Sequence, residues 1–318
     1  MTGQEVARNI ADYAVLARRM HRDQDAFVDP YTGKVRAELV TYRQRCPLCE
    51  SEEFRFIFVK HGFDHMVCEA CDLIFTLQVL DPARAKHLES ADDGNTYGEL
   101  KSDSSISARD RGKFEHAFDI LAAHVRRPIH HVLDVGSNVG TFLDWARERY
   151  EVVGHEYHHR LRAGTQARGH HVIDDPLETM TFDRQFDVIT CWDYVDHLLD
   201  PAAVVSNLTR WLAPGGLVFW AINNRYSLSA RMLHERSPIF IGPQHTMHFG
   251  VPQLVRLMTG YELVHHESYV SELNWLSNWL SFKDPEFGDA PLIRDLLDPA
   301  RICELGLGFK VNAVFRKV

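Results

Sequence analysis

Strand-like and helix-like patterns alternate along the middle of this chain, and that alternation limits the fold more than any other feature of the sequence. Apolar runs lie near 130–135, 151–156, 170–174, 186–192 and 216–222, with helical patterns near 107–125, 140–149, 160–168 and 201–212. Strands separated by helices imply a parallel sheet covered by helices on both faces. In such a sheet a ligand sits at the carboxyl ends of the strands, near the point where strand order reverses. The first strand-to-helix loop, Asp134-Val135-Gly136-Ser137-Asn138-Val139-Gly140, is therefore the first place to look for a binding site.

That loop lacks the G-x-G-x-x-G spacing that sets a helix N-terminus on a pyrophosphate, and it lacks the GK[ST] ending of a triphosphate loop. Glu156 stands near the end of the second strand, 22 residues after Asp134, where an acid can accept both hydroxyls of a ribose. Asp174 and Asp175 follow the third strand, and either can accept an adenine amino group. Trp192 and Asp193 end the fourth strand over the same cleft. A ligand with ribose and adenine but no phosphate fits this set, and S-adenosylmethionine is such a ligand.

The second strong motif lies upstream. CPLC places Cys46 and Cys49, CEAC places Cys68 and Cys71, and 18 residues separate the pairs. Each C-x2-C knuckle turns tightly enough to aim two thiolates at one ion, so the spacing predicts a tetrahedral zinc site. Strand-like runs FRFIFV (54–59) and DLIFT (72–76) complete a zinc-ribbon pattern. Four cysteine ligands leave no open coordination position, so the metal is expected to be structural. Cys191 and Cys303 have no sequence partner and read as ordinary packed residues.

Taken together, these segments resemble the class I S-adenosylmethionine-dependent methyltransferases. VLDVGSNVGTFL resembles their first motif, with Asn138 in place of the middle glycine, a substitution that asparagine's tolerance of left-handed backbone permits. VVGHE resembles their ribose-binding strand. FDVITCWDYVDHLLDP resembles a WDVLEHLxDP segment, with Asp196 where glutamate is usual. LAPGGLVFWAINN and QHTMHFG resemble the strand after the last helix and a substrate-side histidine segment. Tyr97 and the CPLC…CEAC ribbon resemble a bacterial subset that methylates sugars, natural-product intermediates or polysaccharide components. The resemblance implies a Rossmann-like α/β sheet of seven strands, six parallel and one antiparallel, with FKVNAVFRKV (309–318) as the antiparallel strand. It implies S-adenosylmethionine as cofactor, zinc as a structural ion and a small-molecule acceptor.

Methyl transfer to a hydroxyl or acidic carbon requires a positioned acceptor and removal of a proton. Histidine, with an unperturbed pKa near ~6.5, suits that removal at neutral pH. The motifs place His197, His245 and His248 at the cleft, with His245 the first choice for the base. Gly242 and Pro243 before it favour a turn that aims the side chain inward. Tyr97 and Tyr194 are candidate acceptor contacts. The other histidine pairs, at 130–131, 158–159, 170–171 and 265–266, read as packed or solvated. Trp275 and Trp279, spaced i, i+4, read as a core or dimer-face helix.

Composition narrows the class of partner. A net charge of −9 argues against a nucleic-acid partner, and the 46–71 span is acidic rather than basic. No apolar run is long enough to span a bilayer, and no basic-then-apolar leader opens the chain. Six cysteines in a large chain of this kind suggest a reducing compartment, where paired cysteines bind metal more often than they form disulfides, so the cytoplasm is expected. The expected organisation is a helical arm at 1–40 (apolar positions Val6, Ile10, Tyr13, Ala14 and Ala17), the ribbon at 41–90 and the methyltransferase domain at 91–318, as a monomer or homodimer. Two rival readings remain: a methyltransferase whose ribbon docks on RNA or protein, and a binding protein that retains the cofactor cleft without chemistry.

Overall fold

The computed structural model describes residues 27–85, 104–269 and 298–318. Residues 1–26 of the expected arm, Tyr97 and the Trp275/Trp279 pair lie outside these residues. Residues 27–39 form a turn, a bridge between Val28 and Val35 and a short 3-10 turn at Ala37–Leu39 rather than a helical arm. Thirteen strands run in chain order among the described residues: β1 (Val40–Tyr42), β2 (Phe54–Lys60), β3 (Phe63–Cys68), β4 (Ile74–Thr76), β5 (Gln78–Leu80), β6 (His131–Val135), β7 (Glu151–His155), β8 (Val172–Ile173), β9 (Phe186–Trp192), β10 (Leu212–Asn223), β11 (Met247–His248), β12 (Tyr261–Tyr269) and β13 (Lys310–Lys317).

Seven of them form one sheet in the order β12-β13-β10-β9-β6-β7-β8. Every pairing from β10 to β8 is parallel, while β13 runs antiparallel to both β10 and β12. The expected six-plus-one arrangement is therefore present, with the C-terminal strand as the reversed one. Strand order reverses between β6 and β9, which puts the glycine loop after β6 at the switch point. The central strands are buried on both faces, hence their near-continuous apolar runs.

Helices cover each face. On one side α1 (Ser104–His124) and α2 (Thr141–Ala146) set Phe114, Phe118, Phe142 and Trp145 against Val132, Val188 and Phe219. On the other, α4 (Pro201–Trp211) and α6 (Val251–Leu257) pack Val204, Leu208, Trp211 and Leu254 against Leu133, Ile189 and Trp220. Between these in sequence come α3 (His159–Gln166) and α5 (Leu228–Leu233). Asp200 caps α4 by accepting from Ala203 N, with Pro201 at the first helical position, as the LDP sequence dictates.

The cysteine-bearing region does not stand apart from this core. Its sheet, β11-β4-β3-β2, borrows β11 from the segment after α5, with Met247 opposite Phe75 and His248 opposite Ile74. Cys46, Met66, Cys68 and Phe75 belong to the same apolar cluster as Leu133, Ile189 and Trp220. Arg43 adds two donations across the junction, to the Thr246 carbonyl and Oγ1, and a third to the Thr76 carbonyl within its own region. QHTMHFG, which the sequence places in a loop, thus contains a two-residue strand, Met247–His248. Only a partner contributed from elsewhere in the chain could make it one, because two residues carry no periodic signal.

Candidate functional site

The loop after β6 is built from left-handed residues. Gly136, Asn138 and Gly140 have φ of 77°, 49° and 74°, a region that glycine enters freely and asparagine tolerates. Gly136 N and Ser137 N both donate to the His155 carbonyl at 3.0 and 2.7 Å, which fastens the loop to the end of β7. Gly136 also leaves room for Tyr194: a β-carbon there would stand 2.3 Å from the Tyr194 ring. Gly140 is similarly enclosed by Thr165, at 2.5 Å from a notional β-carbon.

Two acids frame this loop. Asp134, on β6, is buried and accepts from Thr190 Oγ1 of the neighbouring β9 at 2.7 Å. Burial raises its pKa to about 7, against the opposing pull of Thr190 and Lys113. Glu156, just beyond β7, accepts from Asn138 N at 2.7 Å through one oxygen and from His158 N at 2.8 Å through the other. Each of its oxygens keeps a further lone pair. Ser137 Oγ is buried with no hydrogen-bond partner among the described residues. A tight left-handed loop, a half-buried carboxylate and an unmatched hydroxyl at the switch point suit a neutral ribose and a cationic tail.

The remaining expected cofactor contacts divide. Asp174 is exposed and paired with Arg162 at 2.8 Å; the Asp175 carboxylate is exposed, and its backbone carbonyl accepts from His155 Nε2. Trp192 turns away from the expected place over the cleft. Its ring packs against Phe114, Phe142 and Phe219 in the helix-side core, with Lys113 Nζ 4.8 Å from its centroid. The last residue of a strand points to one face or the other by parity, and here the parity sends it to α1. Asp193, at φ 52°, faces Lys310 Nζ at 2.6 Å. Tyr194 lies on Gly136, within the field of Glu156, and burial pushes its hydroxyl pKa upward.

The three histidines also separate. His248 is 3% exposed, stacked on His65 at 5.6 Å and edge-on to Phe240 at 4.6 Å. Burial holds its pKa well below the histidine range, so it serves as a packed core residue where the two sheets meet. His197 and His245 come together, ring centroids 4.8 Å apart and nearly perpendicular. His197 keeps an exposed surface, and the protein around it lowers its pKa through desolvation against the opposing pull of Asp196. His245 Nδ1 lies 2.9 Å from the Ile239 carbonyl oxygen and 3.4 Å from Asp196 Oδ2. Both are acceptors, so Nδ1 carries the hydrogen and Nε2 presents a lone pair.

Behind His245 runs a chain of polar groups that the sequence reading did not pick out. Asn223, on β10, donates to Asp196 Oδ2 at 3.0 Å and accepts from Lys310 Nζ at 2.7 Å. Lys310 comes from β13, and no local pattern in the sequence connects it to residues 193, 196 and 223. Asp196 is 4% exposed, yet its carboxyl sits below the usual range: burial pushes it up, and the opposing fields of His245, His197 and Lys310 outweigh that.

The four cysteines converge as their spacing requires. Cys46 and Cys71 sulfurs are 3.5 Å apart, as are those of Cys49 and Cys68, and all four lie within 4.8 Å of one another as free thiols. Each knuckle closes the same way, with Glu50 N on Cys46 O and Asp72 N on Cys68 O, and each ends on a left-handed residue, Glu50 and Asp72.

A methyltransferase-domain family matches residues 105–267, just over half of the chain. The chain belongs to this family of S-adenosylmethionine-dependent methyltransferases. Among curated relatives, the ubiquinone biosynthesis O-methyltransferase of Methylococcus capsulatus is 49% identical over 49 residues, 15% of this chain and 20% of that one. The enzyme of the same name from Paracidovorax citrulli is 33% identical over 104 residues, 30% of this chain and 44% of that one. The chain thus spans between a fifth and less than half the length of these relatives. A solved S-adenosylmethionine-dependent methyltransferase from Archaeoglobus fulgidus is similar over 66% of this chain and 94% of its own, at 15% identity and a TM-score of 0.48. Among the described residues, no helix of this methyltransferase is long and apolar enough to cross a membrane.

Proposed function

We propose that this protein transfers a methyl group from S-adenosylmethionine to a small-molecule acceptor, with His245 removing the acceptor's proton. The observation that carries the reading is the setting of His245, whose Nδ1 hydrogen goes to the Ile239 carbonyl beside the Asp196 carboxylate while Nε2 is left to accept. Bound S-adenosylmethionine supplies an electrophilic methyl on a sulfonium. The chain's own part is to hold and deprotonate. Glu156 would accept the ribose hydroxyls, and the Asp134–Gly140 loop would hold the amino-acid end. Asp175, free of the arginine that engages Asp174, is the better placed of the two for an adenine amino group. Tyr194, lying on Gly136, would contact both cofactor and acceptor. Tyr97 is retained as a further acceptor contact.

A zinc ion on Cys46, Cys49, Cys68 and Cys71 belongs to the same reading. At a Zn–S length of about 2.3 Å, a tetrahedral site requires sulfurs about 3.8 Å apart, close to the spacing found before any metal draws them in. Its role would be structural. The acceptor class favoured is a sugar or natural-product precursor, with an O- or C-methylated product formed in the cytoplasm. The curated relatives named for ubiquinone biosynthesis add phenolic acceptors to the list to be tried. The test is product analysis with labelled S-adenosylmethionine against nucleotide-linked sugars and catechols. His245→Ala should cut kcat on the order of 10²–10⁴-fold while cofactor affinity holds. Near-normal turnover in that variant, with His197→Ala inactive, would transfer the role to His197.

A further inference from the structure

Asp196 is buried, ionised and incompletely matched. Its Oδ2 accepts from Asn223 and faces His245 Nδ1, while Oδ1 is buried with no partner among the described residues. Asn223 is itself held by Lys310, whose ammonium also meets Asp193. Lys310 reaches Asp196 only through Asn223, so the buried Asp196 carboxylate has no cation in direct contact when His245 is neutral. Such a charge is costly to hold unless a positive group arrives beside it.

We infer that Asp196 is a positioning residue for His245: with Asn223 and Lys310 it fixes the imidazole's orientation and supplies the counter-charge for its protonated form. The inference rests on the proposed role of His245. During transfer the acceptor's O–H or C–H bond breaks and its proton goes to His245 Nε2. The electron pair left on the acceptor forms the bond to the methyl carbon, and the C–S pair returns to sulfur. The protonated His245 then stands beside the buried Asp196 carboxylate, so the proton reaches a site already prepared for it. An aspartate that stabilises the imidazolium of a histidine base is part of the logic of the hydrolase triads; here the Ile239 carbonyl fixes the tautomer and Asp196 supplies the charge. The charged and titratable groups facing His245 are Asp196, His197 and His248; those facing Asp196 are His245, His197, Asp193 and Lys310.

The decisive measurement does not depend on knowing the acceptor. In the full chain with labelled histidine, nuclear magnetic resonance follows the His245 ring, assigned by its loss in His245→Gln. The wild type should show the Nδ1-hydrogen tautomer. In Asp196→Asn the titration midpoint of His245 should fall by about one pH unit, while the Ile239 carbonyl keeps the hydrogen on Nδ1. Asp196→Glu should restore most of that shift, which a merely structural role would not achieve. An unchanged midpoint in Asp196→Asn, with the fold intact by circular dichroism, overturns the inference. A His245 signal that shifts on dialysis against chelator and returns on adding zinc or manganese, beyond one ion per chain, would also overturn it, because the cluster would then be a cation site. Turnover separates this from the preceding reading. An active His245→Ala enzyme removes the base, whereas an inactive one beside an Asp196→Asn enzyme of unaltered pH profile removes only the role of Asp196.

Discussion

The hydroxyl of Tyr226 donates to the carboxylate of Asp72 across 2.7 Å. Asp72 closes the second cysteine knuckle, and Tyr226 follows the end of β10, where Asn223 holds Asp196. Arg225 donates to the same carboxylate at 3.1 Å, and Gln253 Nε2 donates to both Cys71 O and the Tyr226 hydroxyl. The cysteine region therefore braces the histidine side of the cleft more directly than the glycine-loop side.

That bracing predicts how the two halves respond to loss of metal. Metal analysis should return one zinc per chain. Cys68→Ser should lower turnover by about 10- to 100-fold through the disturbed support of His245. S-adenosylmethionine affinity should change by less than about threefold, since the glycine loop lies beyond direct contact. Calorimetry showing equal losses in both would mean that the shared core transmits the disturbance to the whole sheet.

Gly136→Ala meets two obstacles. Its φ of 77° disfavours a side chain by about 1–2 kcal/mol, and the new β-carbon would collide with the Tyr194 ring. Cofactor affinity should fall at least about tenfold. In a Tyr194→Ala background the steric part should vanish and the backbone part remain, a coupling that a double-mutant cycle on cofactor affinity would read directly.

Glu156→Ala strands the amide hydrogens of Asn138 and His158 as well as removing the proposed ribose acceptor. A loss of about 1.5–3 kcal/mol in S-adenosylmethionine binding is expected, or roughly 10- to 100-fold in affinity. Unchanged calorimetric affinity would overturn the ribose assignment.

The Asp134 carboxyl makes a pH-dependent prediction. Its folded pKa, about 7, stands above the unfolded value of 3.8, so the folded state holds the proton more tightly. Stability from this group is intact below about pH 4, declines as pH rises between the two values, and is fully lost above about pH 7. The total is at most about 4 kcal/mol. Asp134→Asn keeps an acceptor for Thr190 and should raise the melting temperature more at pH 8 than at pH 5. An equal effect at both would show that Asp134 is already ionised across that range.

What the sequence determined by itself was whatever is written in local periodicity and short spacing. The alternation of strands and helices settled the sheet, because amphipathic runs separated by turns have few other ways to bury their apolar faces. Two C-x2-C pairs settled the four-cysteine cluster, and the glycines with Asn138 settled the left-handed loop, since each depends on residues a few positions apart. Tertiary structure alone decided which face each borderline residue took. Trp192 and His248 look cleft-bound in sequence, yet strand parity packs the first, half-buried, against α1 and pairing with β4 buries the second against His65. The Asp196–Asn223–Lys310 chain is joined by strand order, with Lys310 87 residues beyond Asn223. No local pattern records that neighbourhood, because it exists only once β13 has inserted antiparallel between β10 and β12.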